Sequence, residues 1–258
     1  MNIREDAAKY YDLQSIPIDD VAFYGARIPS PDAHILELGC GTGRVLLPLA
    51  CQCGFIHGID SSAAMLAQCR EKLGRAALPA GKARVTEADI TDFHLNVRFD
   101  LIIAPFRVMQ NLETDDQVSG LMNGIRSHLA PGGAAILNAF YPNRPPDEMR
   151  RTWCNTGEHL DGETALPDGG RMVRSHRRPR LQPHPLVCYP ELIYRQYAAS
   201  GALEDEAVLK IAMRCWYPEE LEKLVSDHGF RVTDRWGGYK GETWGQGSEL
   251  VIQFANSP

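Results

Sequence analysis

The sequence predicts an α/β fold: a doubly wound parallel sheet with an antiparallel β insertion. Three observations carry this. Between Ala33 and Phe140, short apolar runs alternate with segments of helical periodicity, the pattern of βαβ units. The first run enters a glycine-rich turn, Ile35-Leu36-Glu37-Leu38-Gly39-Cys40-Gly41-Thr42-Gly43-Arg44, which leads into a helix. Beyond Phe140 the pattern breaks at Pro142, Pro145 and Pro146, and residues 142–215 read as strands punctuated by glycines.

In chain order, Glu5 to Gln14 reads as a helix that Pro17 interrupts, and Asp19 to Ala26 as a second, capped by Asp19 or Asp20. Pro29-Ser30-Pro31 ends it, so residues 1–30 form a helical lid. Residues 31–141 form the core. Strand one is 33–38, and Pro48 makes its helix start late or bend. Strand two is Phe55–Ile59, closed by Asp60. Ser61 or Ser62 caps the next helix, whose inner side is Ala63, Met65, Leu66 and Cys69. Strands three and four are Ala83–Glu87 and Phe99–Ala104. A helix with Val118, Leu121, Met122, Ile125 and Leu129 at helical spacing stops at Pro131-Gly132-Gly133, and strand five is Ala134–Phe140. In the insertion, 142–215, a short helix at Asp147–Trp153 precedes strands near 171–179, 187–198 and 202–213, with a hairpin turn at Ser200-Gly201. Residues 216–258 supply a helix from Tyr217-Pro218 to His228, stopped by Gly229, and strands Phe230–Trp236 and Glu249–Phe254.

Bulk properties narrow the function. A chain of 258 residues with 44% hydrophobic and 23% charged residues can bury a sizeable core. Its net charge of -6 disfavours a nucleic-acid partner. No apolar run reaches the ~20 residues of a membrane span, and the polar N-terminus lacks the apolar core of a signal peptide. A cytoplasmic protein is expected. Seven scattered cysteines without metal-ligand spacing read as reduced, mostly buried thiols, and no metal site is predicted.

The glycine spacing is G-x-G-x-G, and Arg44 stands where a dinucleotide fingerprint needs its third glycine. Glu37 beside the turn repels phosphate and favours a cation, which also counts against a nicotinamide cofactor. Asp60, ending strand two 21 positions after Gly39, is placed to accept from ribose hydroxyls. Asp89 after strand three can accept from an adenine amino group while Ile90 holds the ring.

Glu37-Leu38-Gly39-Cys40-Gly41-Thr42-Gly43, Asp60, Asp89 and the Pro-Gly-Gly turn, in this order and spacing, resemble the class I S-adenosylmethionine (SAM)-dependent methyltransferases over residues 33–140. The closing helix and strands resemble the same family, implying a seven-stranded Rossmann-like sheet of order 3-2-1-4-5-7-6. The resemblance implies SAM as cofactor, S-adenosylhomocysteine as product and a small-molecule methyl acceptor. It places Glu37 and Asp60 at the charged and ribose parts of SAM, Gly39 and Gly41 at close backbone approach, and Asp89 and Ile90 at adenine. Cys40, Arg44, Ser61, Met65 and Ala104 extend the expected cofactor set. A tyrosine of the N-terminal helix covers the site in this family, and Tyr11 is the preferred residue, with Tyr10 and Tyr24 as alternatives.

Nucleobase amino-methyltransferases carry Asn/Asp-Pro-Pro-Tyr/Phe after strand four, and this chain has Ala104-Pro105-Phe106-Arg107, which weakens that subclass. Phe106 reads either as a ring packed on the sulfonium or as a core aromatic, and Gln110 as a hydrogen-bond partner of the ligands or a helix cap. Arg171, Arg174, Arg177, Arg178 and Arg180 read as an anion clamp or as a solvated strand face. The insertion covers the active site or makes a homodimer contact. No catalytic base is assigned; Tyr24, Tyr141, His176 and His184 are conceivable. The rival readings are an RNA or protein methyltransferase and a non-catalytic SAM-binding regulatory protein.

Overall fold

The computed structural model describes Tyr10 and residues 20–257. The predicted first helix, apart from Tyr10, and the covering residue Tyr11 lie outside the described residues. The chain forms two compact units, one holding residues 20–143 and 215–257 and the other holding Tyr10 and residues 144–214.

The first unit is built on a seven-stranded sheet. Its elements are α1 (Asp20–Gly25), β1 (His34–Leu38), α2 (Leu46–Ala50), β2 (Phe55–Asp60), α3 (Ala63–Arg75), β3 (Ala83–Glu87), β4 (Phe99–Ala104), α4 (Asp115–His128) and β5 (Leu129–Phe140). After the second unit's segment come two further strands of this sheet, Phe230–Trp236 and Glu249–Asn256, preceded by a helix at Pro218–Asp227. Counting strands within the sheet, the order is 3-2-1-4-5-7-6, with the last two antiparallel, as the sequence implies. Alternation along each strand sends side chains to opposite faces. Ile35, Leu101, Ile103, Ile136 and Val251 pack under α1 and α2 with Phe23, Tyr24, Leu46 and Leu49. Leu36, Leu38, Ile102, Leu137 and Ile252 pack under α4 and the Pro218–Asp227 helix. Each fully buried Leu, Ile or Phe contributes about 1.5–3 kcal/mol, so both faces hold the sheet.

Local chemistry fixes the boundaries. The helix after the glycine turn starts late, at Leu46, which leaves Pro48 in its first turn. Ser62, not Ser61, caps α3, its hydroxyl accepting from the Met65 N–H at 3.3 Å. Ala63, expected inside, is exposed, while Met65, Leu66 and Cys69 are buried. α4 starts at a capping box in which the Thr114 hydroxyl and the Gln117 side chain satisfy each other's backbone N–H groups. Leu129 belongs to β5, not to the helix. Pro131-Gly132-Gly133 lies within β5 as an irregularity, since Phe99 pairs with Leu129 and Leu101 with Ala134. Gly229, at φ 73°, ends the last helix by donating to Ser226.

In the second unit, α5 (Pro146–Thr152) precedes β6 (Asn155–Ala165), β7 (Arg171–Gln182), β8 (Val187–Tyr197), β9 (Leu203–Lys210) and β10 (Met213–Arg214). All pairings are antiparallel, β6 to β7 to β8, with β9 and β10 sharing the other side of β8. The sequence reading missed β6. It is almost entirely exposed, so no burial alternation marks it. The turn at Ser200-Gly201 is present, with Gly201 at φ 85°. The Tyr10 ring stacks on Tyr194 at 5.3 Å, and its hydroxyl donates to Asp205. The remaining strands of the first unit are labelled β11 (Phe230–Trp236) and β12 (Glu249–Asn256), and its last helix α6 (Pro218–Asp227).

Candidate functional site

Most of the sequence-predicted residues gather at the carboxyl ends of β1, β2 and β4. Glu37 and the glycine turn end β1, and Asp60 ends β2. Asp60 is 5% exposed, and its carboxylate braces the turn. One oxygen accepts from the Gly41 N–H and the other from the Ser62 N–H, both at 2.9 Å. Each carboxylate oxygen keeps acceptor capacity for a further donor. Gly39 and Gly41 have φ of 69° and 52°. A Cβ on Gly39 would lie 2.6 Å from Val108, whereas one on Gly41 would project into open space with nothing within 4 Å. The turn thus packs tightly at Gly39 and leaves room for close approach over Gly41. Lys72 also steadies it, donating to the Thr42 carbonyl at 3.2 Å.

Beneath the turn lies a buried polar layer. Arg44 makes a two-pronged ion pair with Asp20 of α1, at 2.6 and 2.8 Å, and the Asp20 side chain is fully buried. This staples α1 to the glycine turn. Cys40 and Cys69 are buried, and the Cys40 thiol donates to Cys69. Glu37 is 2% exposed, and its Oε2 has no hydrogen-bond partner. Burial pushes its carboxyl well above the usual range, with Arg44 opposing the shift.

The segment after β4 is more constrained than the sequence suggests. Ala104 is fully buried. Phe106 and Arg107 both adopt positive φ, 52° and 64°, a conformation costly for non-glycine residues. The Arg107 N–H donates to Asn138 Oδ1 at 2.9 Å. Its guanidinium pairs with Glu249, which also accepts from Asn138 Nδ2 at 2.9 Å. Asn138 is fully buried and Glu249 5% exposed. Phe106 is half-buried rather than a core aromatic, with the Arg44 guanidinium 5.2 Å from its ring centre. Gln110 is neither a helix cap nor aimed outward. Its amide bonds both backbone groups of Phe140, accepting from the N–H at 2.7 Å and donating to the carbonyl at 3.4 Å.

Two predicted residues sit at the margin. Ser61 is exposed, while Met65 is buried in α3. Asp89 is exposed, and one oxygen is occupied by the Thr91 N–H and hydroxyl, both at 2.8 Å. Ile90 packs against the core beside it. Reasoning from sequence missed the parts played by Asp20, Arg107, Asn138 and Glu249. A signal existed for two of them: Asn138 is a lone polar residue inside Ala134–Phe140, and Glu249 opens an otherwise apolar strand.

The arginine cluster lies in the second unit and is engaged on its own sheet. Arg171, Arg174 and Arg177 pair with Glu163, Asp161 and Glu191. Arg178 lies over the Trp153 ring and Arg180 over the Tyr189 ring. This is the strand-face reading. His176 pairs with the same Asp161 at 2.6 Å.

The sheet order and the glycine turn define a Rossmann-like methyltransferase fold. Residues 35–133 match the family of methyltransferase domains. The chain is 35% identical over 207 residues to trans-aconitate 2-methyltransferase of Deinococcus radiodurans, spanning 79% of this chain and 70% of that one. It is 26% identical over 222 residues to a dTDP-3-amino-3,6-dideoxy-alpha-D-glucopyranose N,N-dimethyltransferase of Streptomyces fradiae, spanning 86% and 79%. SAM-bound CalS10, an amino pentose methyltransferase from Micromonospora echinaspora, superposes with a TM-score of 0.71 at 22% identity, covering 100% of this chain and 98% of that one. The chain belongs to the class I SAM-dependent methyltransferases. It is an enzyme of methyl transfer, and its cofactor is SAM. No helix among the described residues is long and apolar enough to cross a membrane.

Proposed function

We propose that the enzyme methylates an amine of a small molecule, with SAM held over the glycine turn of β1. The observation that carries the cofactor placement is the Glu37 carboxyl, buried at that turn with an unmet oxygen. A buried carboxyl without a partner is costly, and an ammonium group repays it. The open space over Gly41 supports close approach of the ligand at the same place. In this reading Glu37 accepts from the amino group of SAM, Asp60 from the ribose hydroxyls, and the Asp89 oxygen not used by Thr91 from the adenine amino group. Ile90 and Met65 flank the adenosine, and Cys40, Arg44, Ser61, Ala104, Phe106 and Gln110 complete the surroundings. SAM supplies the methyl group and the sulfide leaving group. The chain's own residues orient, exclude water and fix charge. The strained Phe106–Arg107 corner, held by Asn138 and Glu249, sets the wall where acceptor meets cofactor.

An amine acceptor is supported by the aminosugar N,N-dimethyltransferases, to which the likeness spans 86% of this chain. Carboxylate methylation, as the name of the Deinococcus relative suggests, finds less support. The clustered arginines that could clamp a carboxylate are engaged in ion pairs and ring contacts. The test is an acceptor panel of dTDP-aminosugars, simple amines and tricarboxylates, followed by release of S-adenosylhomocysteine. Turnover with an amine supports the proposal. Turnover confined to carboxylates overturns the amine reading, and none across the panel favours a non-catalytic SAM-binding protein.

A further inference from the structure

The buried layer under the glycine turn holds more unmet polar groups than Glu37 alone. The hydroxyls of Tyr24 and Tyr239 are both buried beside each other, and neither has a hydrogen-bond partner outside this pair. Buried tyrosine hydroxyls usually find one. The two rings meet at 6.0 Å and 61°. Tyr24 lies one helical turn after Asp20 on α1, so the Asp20–Arg44 staple brings it to the glycine turn. Tyr239 comes from the β11–β12 connection and packs edge-on against Phe23 at 5.3 Å. Tyr24 feels the charges of Glu37 and Asp20, so the phenols and the unmet Glu37 oxygen belong to one cluster.

The charges of the layer say what it can take. Asp20 and Glu249 are each compensated by an arginine, Arg44 and Arg107 respectively. Asp60 is met by the Gly41 and Ser62 N–H groups, and Glu37 is left with an unmet oxygen. A further carboxylate entering here meets guanidiniums already paired with Asp20 and Glu249, and the phenol O–H groups are the neutral donors offered to it. Two phenol O–H donors beside one carboxyl acceptor are the complement of an α-amino acid.

We infer that Tyr24 and Tyr239 donate to the carboxylate of the methionyl end of SAM, while Glu37 accepts from its ammonium. This rests on the placement of Glu37 proposed above. The charge balance agrees: the amino-acid end is a zwitterion, and the sulfonium offsets carboxylate charge at Glu37 and Asp60 that the named arginines do not pair. Burial raises both phenols above their ordinary range, which keeps them protonated as donors.

The test is calorimetric titration of the full chain with SAM, S-adenosylhomocysteine and decarboxylated SAM. Wild type, Tyr24→Phe, Tyr239→Phe and Glu37→Gln are compared, with thermal unfolding as a check on folding. Phenylalanine keeps the ring contacts and deletes only the donor. The inference predicts that each Tyr→Phe change weakens SAM and S-adenosylhomocysteine by about tenfold or more, the worth of a hydrogen bond to a charged group. Binding of decarboxylated SAM, which lacks the carboxylate, stays within about twofold of wild type. Equal weakening of SAM and decarboxylated SAM, or no change in either, overturns the role of the tyrosines. Loss of the Glu37 placement reads out separately, as unchanged binding of all three ligands to Glu37→Gln.

Discussion

Two glutamates, one in each unit, show how the same side chain is used in opposite ways. Glu37 is buried in the parallel-sheet unit and its carboxyl is pushed well above the usual range by burial. Glu158, on the exposed strand β6, is held down to about 2, chiefly by hydrogen bonds from Arg195 and Ser175. Glu158 sits in a satisfied network, since Arg195 also binds Glu206 at 2.6 Å. Glu37 sits in a layer with a polar atom unmet. The antiparallel unit spends its charges on holding strand to strand at the surface. The parallel unit meets Asp20 and Glu249 with arginines and Asp60 with backbone N–H groups, and leaves a Glu37 oxygen unmet beside the glycine turn. A stable fold tolerates such a residue where a ligand completes it.

This contrast can be broken by mutation. The largest effect is expected for Asp60→Ala, which removes the acceptor of two backbone N–H groups at the turn as well as the proposed ribose contact. Its affinity for SAM should fall by about a hundredfold, as for two hydrogen bonds to a charged group, with the fold retained; calorimetry reads this directly. Wild-type affinity would remove Asp60 from the site. Next is Glu249→Gln, which uncouples Arg107 from its carboxylate. Loss of one partner of a buried pair costs 3–5 kcal/mol in a dry interior. Arg107 is one-third exposed, so a loss of about 2 kcal/mol is expected, lowering Tm by about 4–8 °C. Because the pair holds the strained Phe106–Arg107 corner, kcat should drop more than SAM affinity. The smallest effect belongs to the other unit. Arg177→Gln removes an exposed partner of Glu191 and should change stability by no more than about 0.5 kcal/mol in chemical denaturation.

The glutamates also differ in the sign of their pH dependence. Folded Glu37 keeps a proton that the unfolded chain releases above about 4.5, so its contribution to stability falls as pH rises above that value. Glu158 contributes above 4.5 and is lost as pH falls through about 2. Glu37→Gln should therefore flatten the loss of stability on the alkaline side of 4.5, while Glu158→Gln should lower stability above 4.5 and flatten its fall toward pH 2. Denaturant midpoints across a pH series distinguish the two.

The parallel sheet was legible because its central strands β1, β2 and β4 are short, largely apolar runs next to turn signals, and the glycine turn marked where the ligand end lies. Strand β6 was not, because an exposed strand carries no hydrophobic alternation and takes its order from pairing with β7. β7 and β8 run past Pro179 and Pro190, which read locally as breaks. The candidate site divides in the same way. Glu37, Gly39, Gly41 and Asp60 sit in one contiguous motif or just after the next strand. Arg107 and Glu249 meet across 142 residues of chain, and no local periodicity links them. From sequence Gln110 reads as a ligand partner or a helix cap, yet its role depends on Phe140, 30 residues further on. The positive φ of Phe106 and Arg107 likewise follows from long-range partners, since neither residue type favours that conformation.

The most direct test is the pH dependence of SAM affinity in wild type and Glu37→Gln, measured by calorimetry from about pH 4.5 upward. An ammonium is bound by the ionised carboxylate, and the free protein holds Glu37 protonated well above 4.5. Wild-type affinity should therefore climb with pH through this range, while Glu37→Gln binds more weakly and shows no such climb. Parallel profiles of equal affinity in the two proteins would contradict the account, because the unmet carboxyl at the glycine turn would then take no part in holding the cofactor.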